Sequence, residues 1–73
     1  MSEKLIQHIA NILEISFEEV QSSKNFLDFQ KFDSLVVIQI AAFLDAEFDC
    51  VIEPEQFELL DSLDSINDLI DSN

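Results

Sequence analysis

The chain contains no glycine and a single proline, Pro54. Tight hairpins depend on residues that accept a positive φ, glycine above all. Strands joined by short turns are therefore disfavoured, and the expectation is an all-α fold. The 73 residues, 48% of them apolar, make one domain, 1–73. Its core is thin, because a chain of this length buries only roughly 60–65% of its extended surface.

Apolar spacing supports the helical reading. In segment 2–14, Leu5, Ile6, Ile9, Ala10, Ile12 and Leu13 recur at helical intervals, with Ser2 as the candidate cap. Residues 15–33, "ISFEEVQSSKNFLDFQKFD", form a connection long enough to carry function. Ser16 and Glu19 stand at capping-box spacing and predict one short turn within it. Ile15, Phe17, Val20, Phe26, Leu27, Phe29 and Phe32 are its candidate anchors to the core. Segment 34–48, "SLVVIQIAAFLDAEF", is the most strongly apolar helix. Pro54 suits a first helical position, so "PEQFELL" reads as a short third helix. Asp61 or Ser62 can cap a fourth, "LDSINDLID".

Sixteen acidic residues stand against Lys4, Lys24 and Lys31, a net charge of −13. Such a surface repels phosphate backbones, which argues against nucleic acid as a partner and favours basic protein surfaces. The longest apolar run, Leu35 to Leu44, is broken by Gln39 and is too short to span a bilayer. Polar interruptions in the first twenty residues do not fit a signal peptide. With Cys50 as the lone cysteine, the expected setting is a reducing cytoplasm and the expected state a monomer.

Catalytic constellations are missing. His8, the one histidine, has no nucleophile or carboxylate partner evident in the sequence and reads as a surface residue. Cys50 reads as a small, partly buried hydrophobe. "DSLDSINDLIDS" fails as a calcium loop, since Ile66 stands where the turn needs glycine. Without glycine there is no phosphate-cradling loop. The expected class is a binding or carrying protein, not an enzyme, with no metal site.

The tripeptide Asp-Ser-Leu occurs twice, at 33–35 and 61–63. Ser34 stands where the long connection meets the strongest helix. A helix N-terminus offers unpaired N–H groups and partial positive charge, so an anion attached to Ser34 is tolerated there. Ser62 has a sufficient task as a cap. Ser34 is the better candidate for a functional serine.

"FDSLVVIQIAAFLDAEFD" resembles the phosphopantetheine attachment region of acyl carrier proteins, with Asp-Ser-Leu at the start of the second helix and "LDAEFD" at its end. "ISFEEVQSSKNFLD" is similar to the family's first loop, and "VIEPEQFELLDSLDSINDLI" to its third and fourth helices. The resemblance implies a four-helix bundle with three longer helices, a short third one and a long first loop. It implies 4′-phosphopantetheine on Ser34, flanked by Asp33 and Leu35, with acyl groups carried as thioesters on the arm. It implies a phosphopantetheinyl transferase and acyl-loading and acyl-processing enzymes as partners.

The chain departs from that family at Lys31, where glycine is usual, and at Phe32, where a smaller residue is common. Lys31 brings positive charge near the site. In the second helix, placing Val37, Ile40, Ala41, Leu44 and Phe48 inward leaves Leu35, Val36, Ile38, Gln39, Ala42, Phe43, Asp45 and Ala46 outward. Common fatty-acid carriers are acidic there. This chain keeps Asp45, with Glu47 beside it. The expected partner face is Leu35, Val36, Ile38, Gln39, Ala42, Asp45 and Glu47, engaged mainly by apolar contact. That suggests a fatty-acid, polyketide or more specialised acyl pathway. Two alternatives stand beside it: an aminoacyl or peptidyl carrier, and a helical interaction module without a prosthetic group.

Overall fold

The structure is a computed structural model that describes residues 3–72. Four α-helices, α1 (Glu3–Leu13), α2 (Phe17–Ser22), α3 (Ser34–Phe48) and α4 (Leu63–Asp71), and two 3₁₀ segments, Phe26–Asp28 and Pro54–Leu59, account for its regular structure. The described residues hold no strand. This is the expected all-α bundle, with a short third helix of 3₁₀ type and a long first loop. Ser2, the expected cap of α1, lies outside the described residues.

Each element begins where a side chain can bond its orphan amides. Ser16 Oγ accepts the Glu19 N–H at 3.1 Å while Glu19 Oε1 accepts the Ser16 N–H at 3.1 Å, a reciprocal box that starts α2. Asn25 Oδ1 accepts the Leu27 N–H at 2.7 Å and starts the first 3₁₀ segment. Pro54 opens the second, where the Gln56 side chain accepts the Glu53 N–H at 2.9 Å. Helix ends solve a harder problem. Glu14 and Asp49 follow α1 and α3 with φ of 58° and 56°, the left-handed region that glycine normally occupies. The chain does therefore use positive φ without glycine. After α1 the Ile15 N–H bonds the Ala10 carbonyl and the Glu14 N–H bonds the Asn11 carbonyl, closing the last turn.

The core joins Leu5, Ile6, Ile9, Ala10 and Leu13 of α1 with Val36, Ile40 and Leu44 of α3 and Leu63 and Ile66 of α4. Val20 and Phe26 pin the long loop into it, both fully buried. Ile15, Phe17, Phe29 and Phe32 pack on its edge, whereas Leu27 points outward at 65% exposure and anchors nothing. The Phe26 N–H also donates to the Asp61 carbonyl at 2.6 Å, tying the loop to the segment before α4.

His8 differs from its expected surface role. It is half-buried between α1 and α3, stacked on Phe43 with ring centroids 4.1 Å apart and planes 15° apart. Phe43, expected outward, thus packs toward the core. The His8 Nε2 is buried and makes no hydrogen bond among the described residues. Burial holds the imidazole below its ordinary pKa, against weaker opposing pulls from the Gln39 carbonyl and the Glu47 carboxylate. The unfolded chain, titrating near about 6.5, therefore takes up the proton more readily than the folded one. That contribution to stability is kept above pH of about 6.5 and is lost as the pH falls below it. Melting curves at pH 7.5 and 5.5 should show wild type losing a few degrees relative to His8→Gln at the lower pH. Parallel behaviour of the two proteins would mean that His8 charges freely in the folded state.

Candidate functional site

The two Asp-Ser-Leu tripeptides fold in different registers. At α3, Asp33 is the cap: its backbone is extended, and its Oδ1 accepts the Val36 N–H at 3.0 Å. Ser34 is the first helical residue, exposed, and its hydroxyl makes no hydrogen bond among the described residues. At α4 the serine itself is the cap, with Ser62 Oγ accepting the Ser65 N–H at 3.2 Å in a half-buried setting. Both Asp and Ser are good caps, so the tripeptide alone does not choose between the registers. The Phe26–Asp61 bond helps select the second one, because it holds the Asp61 backbone outside the helix.

The surroundings of Ser34 suit a covalent phosphodiester with a long arm. The hydroxyl is free, the first-turn amides of a 15-residue helix face outward from its start, and the local partial charge is positive. An apolar cleft of about 280 Å³ begins at Ser34 and runs between Val37 and Ile38 of α3 and Phe57 of the second 3₁₀ segment. A second cleft, about 450 Å³, shares Val37, Phe57 and Glu58 with the first and extends to Leu27, Phe32 and Leu59. The residues present therefore fit a phosphopantetheine arm. The positive charge expected from Lys31 is answered locally, since its Nζ pairs with Glu14 at 3.2 Å.

The expected partner face is partly redrawn. Leu35 and Ile38 are 60% and 54% exposed, and Gln39, Ala42 and Asp45 are exposed beside them. Val36 is 6% exposed and belongs to the core, in the buried stripe Val36, Ile40, Leu44; Val37 is half-buried at its edge. The sequence concealed this phase because α3 is apolar on nearly every side, so periodicity has little contrast to report. Glu47 also leaves the face. It lies nine residues beyond Ile38, about two and a half turns, on the opposite side of the helix. There it pairs with Lys4 of α1. Leu27 and Leu59, which border the clefts, were missed in the sequence; they belong to short 3₁₀ segments, where no helical stripe marks an outward face.

Cys50 is fully enclosed, with its thiol 3.8 Å from the Leu69 carbonyl. Burial and the Asp45 carboxylate raise its pKa, so it is a poor nucleophile and serves as packing. Among the described residues no group of His, Cys, Asp and Glu is placed to hold a metal ion, and no helix is long and apolar enough to cross a membrane.

Comparison with known proteins agrees with this geometry. The family described as "Phosphopantetheine attachment site" matches residues 3–72. The acyl carrier protein of Buchnera aphidicola subsp. Schizaphis graminum (strain Sg) is 29% identical over 72 residues, which cover 99% of this chain and 91% of that protein. Both matches span Ser34 and Ser62 alike, so the choice between the serines rests on their local geometry.

Single substitutions separate cap from free hydroxyl. In urea unfolding, Asp33→Ala and Ser62→Ala should each cost about 1 kcal/mol, whereas Ser34→Ala should stay within about 0.5 kcal/mol of wild type. Equal losses at Ser34 and Asp33 would mean that both side chains serve the cap.

Proposed function

The chain belongs to the acyl carrier protein family, whose domains bear a covalent 4′-phosphopantetheine, and from that premise we propose that Ser34 is its point of attachment. The observation that carries the reading is the division of labour at the start of α3: Asp33 supplies the cap bond, and the Ser34 hydroxyl is left exposed and unbonded. Asp33 fixes the helix start, and Leu35 directly follows the serine on the exposed side. The arm, when bound, supplies a terminal thiol that holds an acyl group as a thioester. The chain's own residues do the rest. The α3 N-terminus stabilises the phosphodiester, and the apolar clefts between α3 and Phe57 offer the arm a surface to lie along.

Residues 1–73 act in this reading as one monomeric carrier unit that presents cargo and catalyses nothing itself. A reducing cytoplasm suits it, since the arm's thiol must stay reduced. Its partners are a phosphopantetheinyl transferase and acyl-loading and acyl-processing enzymes. Leu35, Ile38, Gln39, Ala42 and Asp45 form the face they meet. That face is apolar at its centre, which favours a specialised acyl pathway over one whose enzymes bind an acidic helix.

Intact mass after incubation with coenzyme A and a broad-specificity phosphopantetheinyl transferase tests the assignment. One phosphopantetheine is expected on wild type and on Ser62→Ala, and none on Ser34→Ala. Addition to Ser34→Ala but not to Ser62→Ala would move the site to α4.

A further inference from the structure

Five large apolar side chains are exposed among the described residues: Leu27, Leu35, Ile38, Val51 and Leu59. Their distribution is uneven. Leu27, Ile38 and Leu59 border the two joined clefts beside Ser34, and Leu35 follows Ser34 on α3. Val51 lines neither cleft. Exposed apolar surface gathered in one place marks a contact, whereas scattered exposure is ordinary. Charge supplies the second half of the pattern. Glu58 borders both clefts and Asp61 the second, while no lysine lines either one. Lys4 and Lys31 are paired with Glu47 and Glu14. The patch is thus apolar at its centre and acidic at its border.

A lipid bilayer would satisfy the apolar centre, but an anionic headgroup layer repels a chain of net charge −13. A protein surface satisfies both halves. We infer that Leu27 and Leu59 extend the docking surface from α3 onto the two 3₁₀ segments, and that its occupant is a partner-protein surface presenting apolar side chains between Lys and Arg residues. The inference rests on Ser34 as the attachment site, because a partner seated on this patch has the serine at its edge. The transferase that loads Ser34 must bind there before any other partner, which makes it the probe.

Steady-state transfer from coenzyme A, with the carrier as varied substrate, gives the readout. Leu27→Ser with Leu59→Ser should raise the KM for the carrier about tenfold, the loss expected of two apolar anchors, with kcat little changed. Leu27→Ser alone, at the more exposed position, should give part of that rise. Val51→Ser should match wild type. Added KCl should raise KM for all four proteins, through screening of the acidic border. Far-UV circular dichroism checks that each variant is folded. Ser34 loaded with an unchanged KM in the double variant would overturn the docking surface alone. Ser34 left unmodified in wild type would overturn the attachment reading and this surface with it. Co-sedimentation of wild type with phosphatidylcholine or phosphatidylglycerol vesicles, lost in the double variant, would assign the patch to lipid and overturn the protein partner.

Discussion

A helix leaves its first amides and last carbonyls unpaired, and in a chain of short helices those ends are a large share of the backbone. Here side-chain oxygens of Ser16, Asn25, Asp33 and Ser62 each accept an amide at the start of an element. The far ends have no glycine to turn on, so Glu14 and Asp49 adopt the left-handed conformation instead. Helices this short are unstable alone. They persist because these terminal bonds coincide with a shared core of Leu, Ile, Val and Phe. The functional serine follows from the same constraint. Once Asp33 has taken the cap, Ser34 becomes a helical residue with nothing to bond.

The core and the site are linked through Phe26. Its ring is fully buried, and its amide holds the Asp61 carbonyl. One residue therefore anchors the loop that leads to Ser34 and helps set the register in which Ser62, not Asp61, caps α4. The second 3₁₀ segment ends just before that junction and places Phe57 across from Val37, which makes the clefts beside Ser34. Around them lies an electrostatic asymmetry. Two of the three lysines are committed to ion pairs away from the clefts, so the face beside Ser34 remains acidic around an apolar centre. Exposed pairs of this kind add little stability. Their consequence is to remove positive charge from where partners meet the protein.

Helices α1, α3 and α4 were legible in the sequence, because their start signals and apolar spacing agree with the packing. The short turn at Ser16 and the Pro54 segment were legible for local reasons as well, through a reciprocal cap and a fixed φ. Three features were not. Val36 and Val37 exchange roles because α3 has no polar face to set its phase. His8 has ordinary helical neighbours in sequence, and its stacking on Phe43 is created by the meeting of α1 and α3. The register of each Asp-Ser-Leu depends on contacts beyond the tripeptide. The sequence favoured Ser34 by its position before a long helix; the hydrogen bonds supply the physical reason.

The most direct test of the central claim is the state of the protein in the cells that make it. Isolated without in vitro loading, digested and fragmented, it should yield a phosphopantetheine-bearing peptide whose fragment ions place the group on Ser34, with the Ser62 peptide unmodified. The group on Ser62, or both peptides bare in protein from actively growing cells, would contradict the account.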